Sequence, residues 1–309
     1  MKDFRNVIFI LVIATFLLQM YVSKKDKELE QQSQKQSIAI SNFSIYDIAN
    51  HISQETFDII TILPFGVDAH SFEPTPKLMA KILQSDLVIY SGAGLEPWTH
   101  SFEFKSRVVD MSKYVKLNSL DIDEHSHHAH HEDEASDPHY WLDIQNMIIA
   151  TKLICKEFIK LSPKDKELFE TNRDNYIKML KSLDAKYKTT LENCKKDTII
   201  VNHNAFSYLS KNYGFGIEAL SGLSPDAQPS AKSMVRLIEH IKEHNISTVF
   251  FESFVSDKAI KSIANEAQVS VDVLQPLGNI TRDEADKKLS YETIMLENLE
   301  KISKALECE

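Results

Sequence analysis

The sequence predicts an α/β protein of two lobes, each a mostly parallel four-stranded sheet flanked by helices, joined by one long rigid helix. Two observations carry this. From residue 37 short β-rich runs alternate with helical stretches, and the alternation breaks once, in the middle of the chain, for a much longer helical pattern. Parallel strands need crossover connections, which helices supply, so such runs build sheets covered on both faces. A chain of 309 residues, 43% apolar and 26% charged, has the length and globular composition for two lobes.

In order, the runs of the first lobe (37–161) are SIAIS (37–41), DIITIL (58–63), DLVIYS (86–91) and RVVDM (107–111). Those of the second (197–309) are TIIVN (198–202), GIEAL (216–220), STVFF (247–251) and SVDVL (270–274). Between them, in 162–196, Phe169, Tyr176, Leu180, Leu183, Tyr187 and Leu191 recur at spacings of seven, four, three, four and four. That is one amphipathic helix. Ser162 suits its N-cap, Pro163 its first turn and Asp165 the reach-back position. Roughly 30 residues at about 1.5 Å each would span about 45 Å, the length of a domain. With only 7 Gly in the chain, no Gly-rich hinge interrupts it, and the lobes should tilt little.

The ends of the chain speak to location. Lys2 and Arg5 precede the apolar run Val7–Leu18, whose length suits a signal-peptide core better than a full membrane span of roughly 20 residues. Residues 1–22 are therefore expected to be a signal peptide or an N-terminal anchor, followed by a polar tether, 23–36. Export implies an oxidising compartment. Cys194 and Cys308, each just after a predicted helix, are the expected disulfide; three cysteines allow other pairings, and free buried thiols are the alternative. A formal charge of −10, without a basic patch, argues against nucleic acid as a partner.

Three histidines stand where strands hand over to loops: His70 in PFGVDAHSFEPTP, His139 in DPHYWLD and His203 in VNHNAF. Ligands of open α/β sheets bind at the carboxyl ends of strands, so two facing lobes would bring these imidazoles into one cleft. Neutral imidazole suits Zn2+ and other late first-row divalent ions, and three histidines leave one tetrahedral position open. A single histidine is more often a cap or core residue.

The motifs also carry a resemblance. PFGVDAHSFEPTPKLMAKILQSDLVIYSGAGLEPW, DPHYWLD and VNHNAFSYLSKNYGF are similar, in this order, to the motifs of the substrate-binding proteins of zinc and manganese ABC transporters, from about residue 38 to the C-terminus. The resemblance implies a rigid helix between lobes, a metal at their interface, His70, His139 and His203 as ligands, and an ABC permease as partner. Histidine at position 203 favours zinc over manganese. The chain departs from the pattern at a fourth position, where relatives carry Asp or Glu; Gln275 falls there, with Glu252 and Asp272 as weaker candidates and water expected to fill the place. His51, His100, His240 and His244 match nothing in the family and are expected at the surface. Trp98 and Trp141 are expected to pack near the site, and Asp137 or Asp143 to accept the far N–H of a ligand histidine.

The segment 121–134, DIDEHSHHAHHEDE, combines five histidines with six acidic residues and lacks the apolar content to fold. His125, His127, His128, His130 and His131 would be accessory zinc captors tethered beside His139, or a solvated loop without consequence. The expectation is a monomeric, non-catalytic zinc receptor in the periplasm or on the outer face of the cytoplasmic membrane. The alternatives are a manganese or other divalent-metal receptor, a surface scavenging or adhesion protein, and a zinc hydrolase. The last lacks H-E-x-x-H and G-x-S-x-G motifs.

Overall fold

The computed structural model describes residues 35–119, 136–221, 230–252 and 258–309, besides the isolated residue 19. The expected leader, most of the tether and the histidine-rich segment lie outside these residues.

The first sheet comprises β1 (Ser37–Ile40), β2 (Asp58–Thr61), β3 (Leu87–Tyr90) and β4 (Arg107–Asp110); the second comprises β5 (Thr198–His203), β6 (Gly216–Ser221), β7 (Thr248–Phe251) and β8 (Ser270–Val273). All pairs are parallel, and the orders, β2-β1-β3-β4 and β6-β5-β7-β8, are the same topology used twice. The eight strands fall on the eight runs read from the sequence. Helices α1 (Phe43–Ser53), α2 (Pro76–Gln84) and α3 (Ile144–Leu161) belong to the first lobe. Helices α5 (Ser207–Tyr213), α6 (Ala231–Glu243), α7 (Lys258–Ala267), α8 (Arg282–Asp286) and α9 (Tyr291–Ala305) belong to the second.

Strand alternation divides the core. In β1, Ile38 and Ile40 face inward, while Ala39 joins Ile62, Met79, Ile82 and Val88 on the outer face. In β5, Ile199 and Val201 face inward and Ile200 outward. The inward residues of both sheets belong to one cluster that also takes in Phe169, Tyr176, Leu180, Leu183 and Tyr187 of the long helix α4 (Lys166–Thr190). A continuous core through both lobes leaves little freedom for hinging.

The start of α4 differs from the expected cap. Pro163–Asp165 form a 3-10 turn, and the Ser162 hydroxyl donates to the Asp165 carboxylate, 2.6 Å away, rather than accepting from a backbone N–H. The α-helix proper is 25 residues, about 37 Å at 1.5 Å per residue. At its far end Cys194 and Cys308 are joined by a disulfide, and the Tyr187 hydroxyl donates to the Met295 carbonyl at 2.6 Å, so the rod is fastened to α9.

Candidate metal centre

The site is built from three connections. His203 is the last residue of β5, and Glu252 follows the last residue of the neighbouring β7. The chain leaves β5 for β6 on one side and returns to β7 on the other, so these two side chains stand at a topological switch point, where open α/β sheets leave a crevice. His139 comes from the connection after β4, and His70 from the connection between β2 and α2.

Each anchored ring has a carboxylate behind it. Asp137 Oδ1 accepts from the His139 backbone N–H at 2.9 Å and lies 2.7 Å from its Nδ1, so Pro138 sits in a turn closed by a single carboxylate. The Ser207 hydroxyl of the second lobe donates to Asp137 Oδ2, and the Tyr208 hydroxyl donates to the Asp137 carbonyl at 2.8 Å. Burial works to raise the Asp137 pKa, but the hydrogen bond and charge of His139 outweigh it and hold the carboxyl below its usual range. His203 Nδ1 meets Glu252 Oε1, and both residues are 1% exposed. With Asp137 on Nδ1 of His139, its Nε2 is the nitrogen turned to His70. Close as they lie, neither ring nitrogen of His203 and neither oxygen of Glu252 has a hydrogen-bond partner among the described residues.

The ligand atoms of His70, His139 and His203 lie within 4.8 Å of one another. His70 Nε2 and His139 Nε2 are 3.2 Å apart. A tetrahedral zinc ion with Zn–N distances of about 2.0–2.1 Å holds neighbouring nitrogens about 3.3 Å apart, so the spacing fits such an ion. Burial, followed by the charges of His139 and His203, pushes the His70 pKa down to about 3 and keeps its imidazole neutral, the form that binds metal. The cavity, about 20 Å³, is completed by Leu95, Trp141, Pro276, Gly278 and Asn279. Gly278 allows close approach, since a Cβ there would lie 3.2 Å from the Trp141 ring, a tight contact.

Among the three candidates for a fourth ligand, only Glu252 lines the cavity. The Gln275 amide donates to both oxygens of Glu284, at 3.0 and 2.9 Å, and its Oε1 accepts from the Leu277 N–H; it is consumed in holding its own loop. Asp272 is half exposed, accepts from the Val273 N–H at 2.7 Å, and lies 3.8 Å from Lys301 Nζ. Neither is among the residues that line the cavity. Asp143 caps α3 by accepting from the Gln145 N–H, leaving Asp137 as the orienting carboxylate. Trp141 lines the cavity and donates to the Pro276 carbonyl at 2.7 Å, whereas Trp98 packs on the outer face of the first sheet. His240 and His244 stack on each other at 4.2 Å, and no third ligand joins them among the described residues. The accessory histidines, His125 to His131, lie outside the described residues.

Sequence reasoning missed the segment Pro276–Ile280. It reaches from the second lobe into the first, where Phe43 N–H donates to the Gly278 carbonyl at 3.0 Å and the Ser44 hydroxyl to the Leu277 carbonyl at 2.9 Å. The only signal was the PLG that follows SVDVL, a turn without a stated partner.

The family model described as "Zinc-uptake complex component A periplasmic", ZnuA, matches residues 38–305. The chain belongs to the ZnuA family. This is a family of solute-binding proteins. A Bacillus subtilis protein named "High-affinity zinc uptake system protein ZnuA" is 34% identical over 286 residues, covering 90% of this chain and 89% of its own. The Streptococcus pneumoniae R6 "Zinc-binding lipoprotein AdcA" is 29% identical, and there the match spans 58% of the longer relative. Among solved structures, the Zn(II)-bound ZnuA-like domain of S. pneumoniae AdcA superposes with a TM-score of 0.74 at 28% identity, covering 88% of this chain and 99% of that one. The laminin-binding protein Lmb of Streptococcus agalactiae, described as bifunctional with adhesin and metal-transporting activity, gives 0.78 at 28% identity, covering 88% and 100%.

Proposed function

We propose that this ZnuA-family chain captures zinc between its lobes, on His70, His139 and His203, and delivers it outside the cytoplasm to the permease of an ABC uptake system. The observation that carries the reading is the convergence of three imidazoles from three separate parts of the chain, His139 with its far nitrogen held by Asp137 and His203 with Glu252 against its own. Glu252 either completes the coordination through its unpartnered Oε2 or fixes the His203 tautomer. Engaged with a ligand ring, it favours a binding role over activation of a water for hydrolysis. Three imidazoles favour zinc over manganese, which prefers oxygen ligands. Residues 37–161 and 197–309 act as lobes about the 162–196 link, residues 1–22 direct export or anchor the chain, and the protein works as a monomer. The five histidines of 121–134 supply zinc to the cleft.

A second reading, surface adhesion alongside transport, draws support from the likeness to the laminin-binding protein of S. agalactiae. It would use the outer surface and leave the metal site as described.

Calorimetric titration of zinc, then manganese, into protein lacking residues 1–36 and 123–134 tests the reading. One tight zinc site that ignores manganese and disappears with His139→Ala is expected. No tight site in that protein, with tight zinc binding in protein that keeps residues 123–134 and carries His139→Ala, would place the receptor site in the histidine-rich segment instead.

A further inference from the structure

The His70 ring is placed differently from the other two. His139 Nδ1 has Asp137 and His203 Nδ1 has Glu252, whereas the His70 ring meets His139 Nε2. It also stands on the 62–75 connection, which contains no helix or strand. An imidazole on such a loop takes its position from whatever fixes the backbone beneath it. The His70 N–H donates to Asp68 Oδ1 at 2.7 Å, a bond within the loop, and the loop itself is fastened to the other lobe. The Asn279 amide donates to the Pro64 carbonyl at 2.7 Å and to the Val67 carbonyl at 2.8 Å, across 215 and 212 residues of sequence. Between those carbonyls the Gly66 N–H donates to the Ile280 carbonyl at 2.9 Å, from a backbone at φ +76° that suits glycine. Asn279 is 6% exposed, and its Oδ1 accepts from the Ile280 N–H at 2.8 Å, so its two donors and its acceptor are all in use. A neutral carboxamide supplies that set; a carboxylate offers only acceptors.

We propose that Asn279 is a positioning residue for the metal site: from the second lobe it grips the carbonyls of Pro64 and Val67, and so holds the His70 imidazole against the other two ligands. This rests on the reading of His70 as a zinc ligand. Parting Asn279 from the two carbonyls withdraws one imidazole while His139 and His203 remain anchored. A small tilt between lobes is thereby converted into the loss of a ligand, which allows release without wide opening of the cleft.

The test is the rate of zinc dissociation from the full-length protein into excess chelator, for Asn279→Ala and Asn279→Asp, each alone and combined with His70→Ala. Asn279→Ala should release zinc about tenfold faster, the loss of roughly one net hydrogen bond. Asn279→Asp, nearly isosteric, should do so at least as strongly, and it keeps the test standing if the alanine variant fails to fold. With His70→Ala present, the acceleration should vanish, because the two residues act through one interaction. In nitrogen-15 spectra the His70 ring should broaden in Asn279→Asp while the His139 and His203 rings do not. Equal acceleration with and without His70, or none at all, would overturn the proposal. Unchanged zinc release in His70→Ala alone would instead remove His70 from the ligand set, and that result is read without any change at Asn279.

Discussion

The two lobes share one strand order and place a buried glutamate at each switch point, yet the glutamates do opposite things. In the first lobe Glu96 is surrounded by donors: Oε1 accepts from the Ser41 hydroxyl at 2.5 Å and the Ser91 N–H at 3.0 Å, and Oε2 from the Gly92 N–H at 2.9 Å. Burial raises its pKa, and these hydrogen bonds pull it back. The crevice between β1 and β3 is closed by the chain's own side chain. In the second lobe Glu252 meets only the His203 ring among the described residues, and the crevice between β5 and β7 stays open toward the cleft. Topology offers the same crevice twice. The number of local N–H and O–H donors decides whether the carboxylate there is spent on the fold or left for a ligand.

Exchanging the two acids' side chains for neutral ones should separate the roles. Glu96→Leu leaves the Gly92 N–H and the Ser41 hydroxyl buried without their acceptor and the Ser91 N–H with Ser41 Oγ alone, and about 3–5 kcal/mol of unfolding free energy should be lost in a urea titration. Glu252→Gln should change stability little while weakening zinc about 10–100-fold, the usual cost of losing an orienting partner. If Glu96→Leu proved as stable as the parent, or Glu252→Gln fell in stability alone with zinc affinity intact, the contrast between the lobes would be wrong.

The sequence made the strands and rod legible because their signals are local: apolar runs bounded by turn residues, and Phe169 to Leu191 in one helical stripe. His70, His139 and His203 were legible as candidates because His203 ends a strand and the other two lie in the connections after β2 and β4, and strand ends define the crevice. Gln275, at whose place water was expected, stays off the cavity for a geometric reason. It has the right place along the chain, but the two oxygens of Glu284 turn its amide away from the cleft. The same holds for the roles of Asp137 and Asp143, two acids flanking one motif, which only the backbone turn at Pro138 and the start of α3 tell apart. Asn279 was illegible because its partners, Pro64 and Val67, are more than 200 residues away, and nothing local about Gly-Asn-Ile marks a lobe-to-lobe clasp.

The smallest effect sharpens the comparison within the first lobe, where two histidines shift in opposite directions. Burial, then the charges of His139 and His203, drive His70 down to about 3 against a smaller upward pull from Asp137; His51, on α1, is driven up to about 9, chiefly by its side-chain hydrogen bond to Asp47, against a lesser desolvation. Its Nδ1 lies 3.4 Å from Asp47 Oδ2, the oxygen that also accepts from the Tyr176 hydroxyl of α4 at 2.7 Å. The folded-state pKa of His51 is above the unfolded value, so its contribution is fully present below about 6.5 and is lost as pH rises through about 9. The side chain is 48% exposed, so solvent screening should keep the loss below about 1 kcal/mol. Denaturant titrations at pH 6.5 and 9.5 should show the parent losing this much relative to His51→Gln. Zinc binding, on the opposite edge of the sheet, should be the same in both proteins at either pH. A parallel loss of stability in His51→Gln would mean that the charge on His51 does not help hold α1 to the rod.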